Sequence, residues 1–150
     1  MASITSANAI FFITIPLVYP NPTQLQQFGV DDAFMPEQFD TSETQVGVDG
    51  YGVAGYVPAP VPMTIRFLAS SPSVAIFENW FEAMVLNNDV LPCSGNIAQP
   101  SVGRKYTMPL GVLTRVASMA EARRILQNRE FRVTWLPQGP GIPAITASPT

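Results

Sequence analysis

Alternating apolar and polar residues run through most of the chain and predict short β-strands. Residues 125–136 are the clearest case, because Phe131, Val133 and Trp135 fall on one face with polar residues between them. A strand with one buried face has this period of two. About seven short strands are expected, at residues 9–19, 43–57 as a hairpin, 63–67, 90–98, 105–110, 112–117 and 125–136.

Residues 72–88 have the spacing of an α-helix instead. Ser71 and Pro72 are typical of a helix start, since serine caps the first turn and proline there gives up no hydrogen bond. The apolar residues form two stripes, of which the first is Val74, Phe77, Phe81 and Val85 and the second is Ile76, Trp80 and Ala83. So wide an apolar surface is covered on more than one side. We expect the chain's own sheet to cover one stripe, and a neighbouring subunit or a fold of the long loop to cover Ile76 and Trp80.

Turn-forming residues predict one long loop, one hairpin and one tail. Residues 20–42 form the loop, and loops of more than about 15 residues are usually functional or disordered. We expect it to dock on its own domain or on a neighbouring subunit through Phe28, Asp31, Asp32, Phe34, Glu37 and Phe39. Asp49-Gly50 predicts a two-residue hairpin turn with positive φ at both residues. Residues 137–150, rich in proline and glycine, predict an extended tail that is mobile unless it binds a partner.

The composition favours a single β domain that assembles with others. Fifteen prolines and ten glycines among 150 residues argue against a helical bundle. Only 13% of the residues are charged although 47% are hydrophobic, so much of the surface is uncharged and favours association. The expected fold is mainly β: one domain over residues 1–150, an antiparallel β-sandwich or barrel with one helix on its flank.

Charge is divided unevenly along the chain. Six acidic residues and no basic residue precede Arg66, whereas eight basic and five acidic residues follow from Arg66 onward, so the halves carry −6 and +3. The division either reflects where loops fall or makes a two-ended subunit that stacks head to tail. In the second case we expect Arg123, Arg124 and Arg129 at contacts between stacked subunits or on the outer wall of the assembly. Specific nucleic-acid recognition is not expected, because no series of aromatic residues accompanies the arginines.

Little in the sequence points to catalysis. There is no histidine, and the single cysteine, Cys93, excludes a thiolate zinc cluster and an internal disulfide. Asp31-Asp32 is the nearest candidate for a paired-acid or divalent-metal site, but such a pair in a loop more often forms a turn or a helix cap. We therefore expect no enzyme activity, no metal and no cofactor. The apolar run at residues 9–18 is too short to span a bilayer and no basic region precedes it, so a soluble, intracellularly made protein is expected.

The segment beginning at Glu43, ETQVGVDGYGVAGYVPAPVPMTIRFLASSPSVAIFENWFEA, resembles the central part of tail tube proteins from tailed bacteriophages and related prophages. The resemblance rests on an E-T-x-x-G-V-D-G hairpin, a Val-Pro stretch, a Thr-Ile strand and a Ser-Pro-Ser helix start. It covers roughly residues 28–136. The same fold is used by tube initiators, tail terminators and baseplate hub components.

The resemblance implies six subunits in a ring, stacked into a hollow tube that conducts DNA into the host without binding it specifically. The hairpin residues Glu43, Asp49 and Gly50 would then lie near the lumen. Implied partners are further copies and other tail proteins, namely sheath if the tail contracts, baseplate and terminator. The implied location is the virion, assembled in the bacterial cytoplasm, with no membrane involved. The alternatives are a tube initiator, terminator or baseplate component of the same fold, or a monomeric β-sandwich binding module.

Overall fold

Segments with one apolar face pair into a curved antiparallel sheet in the computed structural model of the chain, which describes residues 9–25, 34–116, 124–139 and 141–149. The elements in chain order are β1 (Ile10–Ile15), β2 (Tyr19–Gln24), β3 (Phe34–Pro36), β4 (Ser42–Val46), β5 (Gly52–Tyr56), β6 (Val61–Phe67), α1 (Val74–Asn87), β7 (Pro92–Gln99), β8 (Arg104–Val116), β9 (Arg129–Trp135) and β10 (Thr146–Pro149). A short 3₁₀ turn, Pro100–Val102, joins β7 to β8. The expected mainly β fold with one helix is confirmed.

Eight of the described strands belong to one sheet. Its spatial order is β2-β1-β7-β8-β9-β6-β3, and β10 pairs with the first half of β8. The sheet does not close into a barrel, yet it curls strongly, because the ring of Phe34 on β3 lies 5.8 Å from that of Phe11 on β1 although four strands separate them in the order. β4 and β5 stand apart as a two-stranded sheet.

Strict alternation builds the core on the inner face of the curl. β6 pairs with β9 in unbroken register from Val61 opposite Trp135 to Phe67 opposite Arg129, and in both strands every second residue is buried. The indole of Trp135 is fully buried against Gly95 and Gly111. The two strands expected at residues 105–110 and 112–117 are one continuous strand, β8, which passes through Gly111. The glycine does not end the strand there; it leaves room for the indole of Trp135.

The helix was predicted correctly, but its buried face is not the expected one. The buried residues are Val74, Ile76, Phe77 and Trp80, whereas Phe81 and Val85 of the first stripe are exposed. Two contacts determine which side of the helix is buried. The ring of Phe77 stacks on Phe131 of β9 with centroids 4.7 Å apart, and the indole N–H of Trp80 donates to the carbonyl of Leu91 over 3.0 Å.

Two segments expected to lack regular structure contain strands. The supposed loop 20–42 includes most of β2 and all of β3, and its Phe28, Asp31 and Asp32 lie outside the described residues. The supposed extended tail returns to the sheet, where β10 pairs with β8 and Ala144 is buried in the core. Prolines suggested loops in both places, but an edge strand tolerates them where the missing N–H would face away from its partner.

Candidate functional site

The β4–β5 hairpin leaves the body of the protein and is exposed along its whole length. Ser42 pairs with Tyr56 and Val46 with Gly52, so the two strands are in regular register. An isolated two-stranded hairpin is marginally stable in water, and this one also exposes Val53. We call β4, β5 and their turn the assembly hairpin, and no other described strand pairs with either of its two strands.

The turn of the assembly hairpin differs from the expected one. It is a three-residue loop in which Gly47 accepts a hydrogen bond from the Gly50 N–H over 2.9 Å and donates to Tyr51 over 2.8 Å. Only Gly50 has a positive φ, of 88°, whereas a two-residue turn would need the same at Asp49. Asp49 Oδ1 accepts the N–H of Tyr51 over 3.3 Å. Its carboxylate is thus used to order the tip.

Both edges of the assembly hairpin are open to strand addition. Backbone groups of an antiparallel pair point alternately toward the partner strand and away from it. The N–H of Val57 donates to the Thr41 carbonyl over 3.1 Å, so positions two residues further along, such as Glu43 and Gly55, also face inward. The outward N–H groups belong to Ser42, Thr44 and Val46 on β4 and to Gly52, Ala54 and Tyr56 on β5. None of these residues is proline, and each edge offers three donors that no other described strand pairs with.

The β2 edge of the large sheet is closed to such pairing. The Leu25 N–H donates to Phe11 on β1 over 2.8 Å, so by the same alternation the N atom of position 22 points away from β1. Position 20 lies beyond an irregularity in the register of the two strands. Both positions are proline. Because proline carries no N–H, this edge cannot complete a ladder with another strand. The contrast between these two edges favours the hairpin over the β2 edge as the place where another strand can be added.

Two residues of the expected docking loop contact their own chain. The Phe34 ring packs edge to face on Phe11, half-buried. Glu37 forms an ion pair with Arg132 on the outer face of β9. Phe39 remains about half exposed and borders a notch at the root of the assembly hairpin. The loop was expected to dock on its own domain or on a neighbouring subunit. The contacts of Phe34 and Glu37 are with its own domain.

The predicted arginines occupy different environments. Arg129 is buried, pairs with Glu78 of α1 over 2.9 Å and lies 5.3 Å from the ring centroid of Phe131. This arrangement fastens the helix to β9. Arg124 is exposed, whereas Arg123 lies outside the described residues. Of the two described arginines, Arg124 is therefore the one whose side chain is exposed to solvent.

The helix residues expected to meet a neighbour are inside the chain's own core. Trp80 is fully buried and Ile76 nearly so. The exposed apolar residues of α1 are Phe81, Val85 and Leu86. The two stripes were visible in the sequence, but the buried face takes residues from both. Its direction depends on Phe131, which is distant in sequence, and on Leu91, which follows shortly after the helix.

Chemistry-bearing groups are sparse in the described part of the chain. No group of three or more potential metal ligands occurs there. Burial in the apolar core raises the pKa of the Cys93 thiol well above its usual range, which keeps it protonated and unreactive. No described helix is long and apolar enough to cross a membrane. Sequence reasoning missed two backbone features. One is the pair of open edges on the assembly hairpin. The other is the presence of Pro20 and Pro22 in an edge strand, because these prolines were interpreted as part of a loop.

Comparison with known proteins identifies a family and a fold. The sequence profile of the family described as "Tail fiber protein gp32" matches residues 2–137, so the chain belongs to that family and is a phage tail-type protein. A chain of the anti-feeding prophage cap, the tube terminating cap of that particle, has a TM-score of 0.53 and 9% identity over 93% of this chain and 88% of its own. A chain of the anti-feeding prophage baseplate has a TM-score of 0.51 and 10% identity over 95% and 93%. None of the curated proteins matches the sequence.

Proposed function

We propose that this member of the tail fiber protein gp32 family is a structural subunit that forms a ring at one end of a phage tail tube, as a baseplate component, tube initiator or terminator. The ring would contain six copies joined through the assembly hairpin. Its partners would be further copies of this chain and the tail proteins that adjoin the ring. Genomic DNA would pass through the opening without specific binding.

The open edges of the assembly hairpin carry this proposal. Three outward N–H groups on β4 and three on β5 lack a partner strand among the described residues. If β4 of one copy pairs with β5 of the next, a closed ring satisfies both edges of every copy. The prolines of β2 keep that edge of the large sheet from competing in this pairing. The low charge of the chain supports the same role, because ring contacts need uncharged surface.

A position at the end of a tube is proposed over a position in its body. The fold resembles a tube terminating cap and a baseplate chain. The main expectation from the sequence, a subunit of the tube itself, has no comparable support. Glu43, which pairs with Gly55, and Asp49 make the assembly hairpin acidic. An acidic hairpin suits a passage for DNA, because acidic side chains do not bind phosphate groups.

Proline substitution on one open edge tests the ring. Thr44→Pro removes an outward N–H while the inward bonds of the neighbouring Gln45 and Val53 pair remain. Thr44→Ala retains the N–H and is the matched control. In sedimentation experiments we expect the wild type and Thr44→Ala to form a species six times the 16.3 kDa subunit, and Thr44→Pro to remain a monomer with unchanged circular dichroism.

Equal assembly of the Thr44→Pro and Thr44→Ala variants would show that the hairpin edge does not join the subunits. A wild type that stays monomeric at every concentration, also when mixed with tail-initiating components, would favour the alternative of a monomeric β-sandwich binding module. In that case the exposed valines and tyrosines of the assembly hairpin would contact a different protein.

A further inference from the structure

The last part of the chain folds back beside the root of the assembly hairpin. Residues 137–139 and 141–149, here called the C-terminal strap, begin after β9 and end in β10. A tight turn bridges Gly139 and Ile142, with Gly141 at a φ of 78°. β10 then pairs with β8 from Thr146 opposite Thr107 to Pro149 opposite Arg104. The strap is thus attached to the sheet at its far end.

Between these attachments the strap faces the hairpin root across a small notch. Pro137, Pro143, Ala144 and Ile145 border a notch of about 110 Å³, and its other wall includes Phe39, Tyr56, Val57 and Ala59. Ala144 is almost fully buried and Ile145 packs partly buried against the core. Ile145 also borders a larger apolar cavity of about 290 Å³ between β3 and β8. The strap therefore links the hairpin root to the interior of the sheet.

The strap also occupies a sheet edge that would otherwise be open. β9 pairs only with the second half of β8, from Gly111 to Val116. β10 supplies the missing neighbour for Arg104 to Thr107. The match to the family profile covers residues 2–137, so nearly all of the strap lies beyond the matched region.

We propose that the C-terminal strap is a brace that fixes the direction in which the assembly hairpin leaves the body, and that it closes the β8 edge against strand addition. A hairpin with no other support pivots at its root, and apolar contacts at the root limit that motion. The consequence for assembly is that only one hairpin direction is presented to the next copy. This consequence rests on the proposed ring, whereas the brace itself is a property of the single chain.

Hydrogen exchange of the unassembled chain tests the brace. The reporter is the Val57 amide at the hairpin root, which bonds to Thr41, and the internal reference is the Gly47 amide near the tip, which bonds to Tyr51. Ile145→Ser removes an apolar residue from the notch. Ile142→Ser makes the same change at an exposed position of the strap that does not border the notch.

We expect Ile145→Ser to accelerate Val57 exchange about tenfold, which corresponds to about 1.4 kcal/mol. Gly47 exchange and both rates in the Ile142→Ser variant should stay within about twofold of wild type. If Ile145→Ser unfolds the whole chain, Pro143→Ala changes an exposed wall of the notch and should accelerate Val57 selectively, about threefold by the same scale. Unchanged Val57 exchange in a folded variant would refute the brace and leave the ring proposal standing.

Discussion

Replacing Gly111 by alanine should destabilise the isolated subunit, because the new methyl group would overlap the indole of Trp135. A Cβ built at Gly111 lies 2.4 Å from Cε3 and 2.5 Å from Cζ3 of that ring, and 3.2 Å from Cys93 Sγ. Carbon atoms in favourable contact are roughly 3.5 Å apart. One of the two groups must therefore move by about 1 Å.

The surroundings of the indole leave little room for that movement. Trp135 is fully buried, and a Cβ at Gly95 would also lie only 3.0 Å from Cη2 of the same ring. Inserting a methyl group into a packed core costs about 1–3 kcal/mol. For a chain of this size each kcal/mol lowers the melting temperature by about 2–4 °C. We expect a decrease of about 2–12 °C for Gly111→Ala.

Thermal unfolding followed by circular dichroism measures the change, under conditions in which the chain is a monomer. Gly52→Ala is the matched control, since it also lies in a strand but has no atom within 4 Å of its built Cβ and no positive φ. Alanine in a strand is favoured over glycine by about 0.5–1 kcal/mol, so this variant should melt at the wild-type temperature or slightly above. Equal melting temperatures for Gly111→Ala and the wild type would refute the packing described for Trp135.

Three further predictions concern the core, the sheet edge and the thiol. Trp80→Ala should lower the free energy of unfolding of the unassembled subunit, measured in urea, by about 3–5 kcal/mol, because a fully buried indole and its bond to Leu91 are lost. An unchanged urea midpoint would contradict this burial. The double substitution Pro20→Thr and Pro22→Thr should produce aggregates larger than the ring in sedimentation, and behaviour like the wild type would mean that the β2 edge needs no protection. Cys93 should not react with a disulfide reagent at pH 8 until the chain is unfolded, since burial raises its pKa; rapid labelling of the folded chain would disprove that.

Local patterns in the sequence predicted those elements whose cause is local. The helix and β9 followed from their apolar periods, and Asp49-Gly50 marked the hairpin. The prediction of a loop at residues 20–42 was wrong because it treated Pro20 and Pro22 as strand breakers. Whether a proline breaks a strand depends on the side from which the partner strand approaches, and the sequence does not specify that partner.

The candidate site depended even more on distant contacts. The buried side of the helix could not be chosen from the sequence, because it takes residues from both stripes and depends on contacts with Phe131 and Leu91. Likewise, the hairpin was expected, but its separation from the large sheet was not. The strap was mistaken for a free tail because the burial of Ala144 depends on the distant strands of the core.

Negative-stain electron microscopy of the purified full-length chain tests the central proposal most directly. A subunit that closes a ring through its hairpin edges should appear as discrete rings of one diameter with a central opening, single or in short stacks. Long tubes formed by the chain alone would contradict a position at the tube end and assign the chain to the tube body. Particles of monomer size at every concentration would contradict the ring itself.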